Sequence, residues 1–258
     1  MTEAQTPTRR TTNPPRWHEA TLRSRHREAA DAVTLVLDVP TWPGHRAGQY
    51  VDLKLTAEDG YSARRSYSIA SAADGTRVEL TVQAVADGEV SSYLVGEMQP
   101  GDQLELLGPI GGWFVWTPEQ TEPVLLVGGG SGVVPLMSMV RTRNATGSRA
   151  PVRLLYSVRS PAYRLFTDEL VGSGVLGTAT GSGVDVAVLY TREAPAGTPR
   201  EPGRLSAADL AAHGWPAEFE PTVYVCGPTP FVEHASGLLV ALGHDPSRIR
   251  TERFGPTR

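Results

Sequence analysis

From Val124 the chain reads VLLVGGGSGVVP, a short apolar run that breaks into three consecutive glycines. An apolar run of about four to eight residues ending in clustered glycine is how a buried parallel strand delivers the chain to a phosphate-binding turn. Val124 to Val127 is the expected strand and Gly128 to Gly132 the expected turn. A pyrophosphate needs backbone N–H groups brought close, with no Cβ in the way and positive φ permitted. Gly130 and Gly132, with Ser131 between them, meet that need best. The next stretch, Val134 to Arg143, has helical spacing, so its free first-turn N–H groups and positive dipole end would face the phosphates. Pro135 suits a first helical turn. It also stands where the third glycine of a full G-x-G-x-x-G fingerprint would fall, so the turn departs from that fingerprint. A strand-to-helix turn that merely needs small residues is the alternative.

At 258 residues the chain is long enough for two domains of about 100 to 150 residues each. The net charge of −4 and scattered basic residues give no support for nucleic-acid binding. Residues 1–15, rich in Thr, Pro, Arg and Gln without apolar periodicity, are expected to form a disordered tail. Arg9-Arg10 resembles a twin-arginine signal, but no apolar stretch follows it. No segment approaches the roughly 20 apolar residues of a membrane helix, so the expectation is a cytoplasmic protein that does not use a membrane. The single cysteine, Cys226, excludes an intramolecular disulfide and a four-thiolate cluster from this chain. Redox chemistry here would need an organic cofactor. The histidines show no H-E-x-x-H or similar spacing, and no metal site is expected.

The chain changes rhythm near residues 116–123, where Thr, Pro, Glu and Gln cluster. Before it come short β-like runs between turn signals: Val33 to Val39, Tyr50 to Leu55, Ser66 to Ala70, Val78 to Ala84 and Gln103 to Leu107, with one short helix at Ser91 to Met98. After it, strands at Val124, Val152, Val184, Thr222 and Ile249 alternate with helical stretches at Val134, Phe166, Ala207 and Phe231. Gly172 to Gly183 reads as a flexible surface loop. The expected fold has two domains: an N-terminal antiparallel β-barrel and a C-terminal Rossmann-like α/β domain around a parallel sheet.

Arg65-Ser66-Tyr67-Ser68 on a barrel strand, Gly88-Glu89-Val90-Ser91, the Gly128 to Pro135 turn, Cys226-Gly227-Pro228 and Glu252-Arg253-Phe254-Gly255 occur in that order. With these motifs the sequence resembles the ferredoxin–NADP reductase superfamily. The resemblance implies that 16–118 binds FAD and 119–258 binds NAD(P)H. It implies that Arg65 pairs with the FAD pyrophosphate through its fixed fork of donors. Tyr67 would stack on the isoalloxazine, Ser68 would sit near flavin N5, and Ser66 belongs to the same strand. Gly88, Val90 and Ser91 would receive the pyrophosphate from its other side at a helix N-terminus, which points to FAD over FMN. Val82 and Gln83 join that site, Gln83 standing where members often carry a basic residue. Cys226, with Gly227 and Pro228, would lie beside the nicotinamide C4, and Phe254, with Glu252, would cover the flavin face that the nicotinamide must reach. Ser68, Cys226, Glu252 and Phe254 are the expected catalytic set. Other readings stay open: Tyr67 as core, Ser91 as a helix cap, Cys226 as a buried structural thiol.

An NAD-type site places an acid at the end of its second strand, whereas a 2′-phosphate needs cations and hydroxyls. Here Ser157 and Arg159 stand at that place and Arg192 closes the next strand, favouring NADPH with NADH still possible. The implied activity is an FAD-dependent NAD(P)H oxidoreductase, acting as a monomer, that hands electrons to an external acceptor protein. A ferredoxin, an oxygenase or a molybdenum enzyme would serve. A free flavin or ferric-chelate reductase, or a non-catalytic electron-transfer subunit, is the alternative.

Overall fold

The structure, a computed structural model, describes residues 14–57, 59–172 and 183–255. The tail expected over 1–15 lies outside these residues except for Pro14 and Pro15, and the loop expected over Gly172 to Gly183 lies outside them from 173 to 182.

The first sheet contains β1 (Arg16–Ala29), β2 (Ala32–Asp38), β3 (Tyr50–Thr56), β4 (Ser62–Ser68), β5 (Arg77–Gln83) and β6 (Gln103–Ile110). All neighbours are antiparallel, in the order β4-β3-β6-β1-β2-β5. Just past β4, the bridge Ile69↔Leu80 joins the two outermost strands and curls the sheet into a barrel. Leu22, Leu35, Leu37, Val51, Leu53, Leu80 and Leu106 fill it, none more than 1% exposed. Each contributes about 1.5–3 kcal/mol of burial, so the barrel is held by its interior rather than by its rim. Helix α1 (Glu89–Gly96) adds Val90, Leu94 and Val95 to that interior.

Strand β1 is absent from the expected runs. Its inward side chains alternate only at His18, Ala20 and Leu22, and register shifts at Leu22/Ser24 and Arg27/Ala29 break the period. Pairing with strands on both sides, not an apolar pattern of its own, holds it. Strand β4 runs Ser62–Ser68 rather than the expected Ser66 to Ala70, because an edge strand with exposed Arg64, Arg65 and Ser66 shows no apolar alternation to mark its start.

The second sheet is parallel, in the order β11-β10-β7-β8-β9, from β7 (Val124–Gly129), β8 (Val152–Val158), β9 (Val184–Tyr190), β10 (Thr222–Pro228) and β11 (Ile249–Phe254). Among the described residues four α-helices accompany it: α2 (Val133–Thr146), α3 (Thr167–Gly172), α4 (Ala207–His213) and α5 (Thr229–Ala241). Both faces are covered, so the strands can be apolar throughout. Val124 and Leu126 point into the core shared with α2, and Leu125 and Val127 into the core shared with α4 and α5. The α2 core also takes in Ala47, Ala70, Phe114 and Trp116 from the barrel side, which welds the two sheets into one body. The chain reverses its direction of progress across this sheet between β7 and β10. A crevice at the carboxyl ends of the strands follows from that reversal, flanked by the Gly128 turn and by Cys226 to Pro228.

Candidate active site

Ser68 ends β4 at the barrel's edge, and its hydroxyl donates to Glu252 Oε1 at 3.2 Å. Glu252 pairs in register with Cys226, and Cys226 with Gly128. Ser68, Glu252, Cys226 and the glycine turn therefore meet in one row across the seam between the sheets. Burial pushes the Glu252 carboxyl up to about 7, outweighing the Ser68 hydrogen bond that works the other way. The Cys226 thiol is fully buried and is pushed well above its ordinary range by that burial, then by the Glu252 charge. It stays a neutral thiol at physiological pH. Phe254 pairs in register with Pro228, the N-cap of α5, and packs half-buried on the core that contains Cys226. Tyr50, which the sequence did not mark, lies opposite Ser68 on β3. Burial, then the charges of Asp52 and Glu252, raise its hydroxyl's pKa. Only the β3–β4 register reveals it.

On β4, alternation puts Arg65 and Tyr67 on one face and Ser66 and Ser68 on the other. Tyr67 packs half-buried on the barrel core, its hydroxyl pushed up to about 12 by burial and drawn back in part by Arg65. Arg65 is exposed, donates to the Arg64 carbonyl at 2.7 Å, and has no carboxylate partner among the described residues. Ser66 donates to Asp52 Oδ1 at 2.5 Å. Among the described residues β4 pairs along its length only with β3, so no strand covers its outer edge. Gly88 is the N-cap of α1, and the Ser91 hydroxyl accepts from the Val85 N–H at 3.1 Å and donates to the Gly88 carbonyl at 3.2 Å. Ser91 thus braces the turn. Val82 and Val90 bury their side chains in the barrel, so only their main chain can face a ligand, while the Gln83 amide donates to Asp31 Oδ2 at 3.0 Å.

At the other half of the row, Gly130 adopts φ 57° with open space where a Cβ would stand, and Ser131 beside it is half-buried. No side chain caps the first turn of α2, where Pro135 is buried. At Gly132 packing gives a second reason for the missing side chain. A Cβ there would lie 2.1 Å from the Cys226 carbonyl oxygen, so the missing side chain lets the turn pack on β10. Gly227 is less tightly confined: a Cβ there would lie 2.8 Å from the Phe231 ring and 3.1 Å from the Gly129 carbonyl oxygen. Ser157 is buried beside Gly129 at the end of β8. Arg159 and Arg192 are exposed just past β8 and β9 and are tied through main chain, the Arg192 N–H donating to the Arg159 carbonyl at 3.0 Å. The Arg159 guanidinium lies 5.9 Å from the Tyr163 ring centre.

Residues 19–115 match the oxidoreductase FAD-binding domain family and residues 126–237 the oxidoreductase NAD-binding domain family. The propane 2-monooxygenase reductase component of Mycolicibacterium goodii is 33% identical over 218 residues, covering 82% of this chain and 60% of that protein. The Amycolatopsis cytochrome P450 reductase structure has a TM-score of 0.79 at 28% identity, covering 96% of this chain and 72% of that one. The flavohaem-like FAD/NAD-binding domain of nitric oxide dioxygenase from Vibrio cholerae also gives 0.79, at 26% identity over 93% of this chain and 99% of that one. The fold and the paired matches define a two-domain oxidoreductase that binds FAD and a nicotinamide nucleotide. The chain belongs to the ferredoxin–NADP reductase family. It spans 51% to 60% of the length of the curated relatives it matches.

The residues present fit both groups. An exposed guanidinium without a carboxylate partner, a half-buried phenol ring and an open strand edge suit a planar ring on a phosphate chain. An uncapped helix start behind a positive-φ glycine suits the second pyrophosphate. Among the described residues, no helix is long and apolar enough to cross a membrane, and no group of three or more His, Cys, Asp or Glu is placed to hold a metal ion.

Proposed function

We propose that the chain is an FAD-dependent NAD(P)H oxidoreductase, favouring NADPH, that serves a separate electron-acceptor protein. In this reading 16–118 holds the flavin and 119–258 the nicotinamide nucleotide. The observation that carries it is the Ser68–Glu252 hydrogen bond, which joins the end of the flavin strand to the carboxyl ends of β10 and β11. Bound FAD supplies hydride acceptance from the nicotinamide and release of electrons one at a time. The chain's own residues bind, orient and shield. Arg65 would hold the pyrophosphate as a charged donor, and the turn at Gly88 and Ser91 would contribute to the same site. Tyr67 would offer its ring to the flavin, and Ser68, through its hydrogen bond, would fix the carboxyl of Glu252 beside it. With a pKa of about 7, that carboxyl can hold or release a proton at neutral pH without a change of environment. Cys226 offers a small neutral surface against which a nicotinamide can lie. Since the thiol is fully buried and Phe254 packs on the core around it, displacement of the Phe254 ring is the step that opens the site.

Ser157, Arg159 and Arg192 support the NADPH preference, because they place a hydroxyl and two cations where an NAD-type site carries an acid. Curated relatives include the reductase component of propane 2-monooxygenase and the ferredoxin–NAD(P)⁺ reductase component of naphthalene 1,2-dioxygenase/salicylate 5-hydroxylase systems. An oxygenase component or its ferredoxin is accordingly the proposed acceptor, met by a cytoplasmic monomer. The test is an absorption spectrum of the purified protein before and after anaerobic NADPH. Yellow protein that NADPH bleaches is the expected result. Colourless protein that reduces only added flavin would make the chain a free-flavin reductase, and bound flavin that neither NADPH nor NADH bleaches would overturn the reading.

A further inference from the structure

Helix α2 begins at the dinucleotide turn and, one to two turns later, grips the exit of the flavin strand. Ser138, fully buried, donates its hydroxyl to the Ser71 carbonyl at 2.7 Å. Arg141, three residues on and so on the same helix face, donates Nη1 to the Ala70 carbonyl at 3.0 Å and to Glu79 Oε2 at 3.1 Å. Ala70 and Ser71 follow Ser68 almost directly. The same stretch is pinned from the barrel side, where His45 Nε2 lies 3.0 Å from the Ser71 carbonyl oxygen and the Glu79 N–H donates to Ser71 Oγ at 3.1 Å.

The grip closes on itself through α3, a helix of the second domain. Arg141 Nη2 donates to Glu169 Oε2 of α3 at 2.7 Å, and its guanidinium lies 4.9 Å from the Phe166 ring. Phe166 is a non-glycine residue at φ 56°, a strained conformation, and its N–H donates to Glu28 Oε2 of β1 at 2.9 Å. The barrel, through Ala70 and Glu79, and α3 of the second domain, through Glu169, therefore meet on Arg141.

Hydride transfer requires the reacting atoms about 3–3.5 Å apart, and a displacement of about 1 Å can cost 100-fold. Building on the hydride-transfer reading above, we propose that Ser138 and Arg141 are positioning residues that set the spacing between the flavin strand and the dinucleotide turn. Neither is among the residues proposed to hold a cofactor. Each holds main chain next to residues that are, and the fork of Arg141 fixes direction as well as distance, which a lysine ammonium would not.

The experiment compares wild type, Ser138→Ala, Arg141→Met and Arg141→Lys as holoenzymes. Stopped-flow reduction by NADPH, bound FAD content, KM for NADPH and the long-wavelength charge-transfer absorbance of dithionite-reduced enzyme with NADP⁺ are measured. Ser138→Ala and Arg141→Met should lose between about tenfold and 100-fold in reduction rate, with FAD content and KM unchanged and the charge-transfer absorbance weakened. Arg141→Lys should recover part of both. Variants with wild-type reduction rate and charge-transfer absorbance, whatever their melting temperature, would overturn the proposal and leave these contacts a purely structural role. Should Arg141→Met fail to fold, Ser138→Ala decides, because His45 still faces the Ser71 carbonyl. Wild type that NADPH cannot reduce would overturn the underlying reading and this proposal with it, whereas reducible wild type with unaffected variants overturns this proposal alone.

Discussion

Along β4 the proposed site presents side chains, Arg65, Tyr67 and Ser68, on a strand whose outer edge is open. At the end of β7 it presents main chain, through Gly130 and the uncapped first turn of α2. The two halves should therefore fail differently. Side chains on an exposed edge can be removed with little cost to the fold, so their loss is felt in binding. Glycines packed against a neighbouring strand cannot be enlarged without moving backbone, so their loss is felt in stability first.

The largest effect should come from Gly132→Ala. Its Cβ would stand 2.1 Å from the Cys226 carbonyl oxygen, and urea or thermal melts should show a loss of about 3 kcal/mol or more. Gly130→Ala, which enters open space but at φ 57°, should cost only about 1–2 kcal/mol. Equal melts for the two variants would erase the distinction drawn between the glycines.

Arg65→Ala should be the converse case. FAD affinity should fall by about 1.5–3 kcal/mol, the usual range for a hydrogen bond to a charged group, while the melt of the FAD-free protein stays within about 0.5 kcal/mol of wild type. Titration of FAD-free protein by flavin fluorescence reads the first and calorimetry the second. Next in size, Arg159→Ala should lower the ratio of kcat/KM for NADPH over NADH by about tenfold, equivalent to the loss of one such contact. An unchanged ratio would remove the support for NADPH.

The smallest effect tests the bond that joins the halves. Glu252 stays protonated in the folded chain up to about pH 7, well above the pH at which it ionises when unfolded. Its contribution to stability is therefore complete at acid pH and is lost as pH rises through about 7. Glu252→Gln should flatten that fall between pH 5 and 8. Ser68→Ala, which removes a hydrogen bond that favours the ionised form, should move it to higher pH and change stability by only about 1 kcal/mol. A fall that moves to lower pH in Ser68→Ala would show that the bond favours the protonated carboxyl instead.

What the sequence disclosed was local. The glycine turn and the Arg65 to Ser68 strand are each complete within a few positions, and the parallel strands announce themselves as apolar runs because both faces are covered. What it concealed was long-range. The Ser68–Glu252 bond joins residues 184 positions apart. Tyr50 reaches the site only through the β3–β4 register, and β1 is a strand because its neighbours make it one. The packing reason for Gly132 lies in β10, more than ninety residues later, where no turn rule could find it.

The open flank of β4 has a cost when the flavin is missing. Unsatisfied amides in a row will accept a strand from another molecule as readily as a planar ring, and self-association by strand addition is the usual result. Exposed Arg64 and Arg65 lie on opposite faces of that strand, the kind of charge with which edge strands resist such pairing. In the proposed site, the stretch that binds flavin is also the stretch that must be guarded against strand addition.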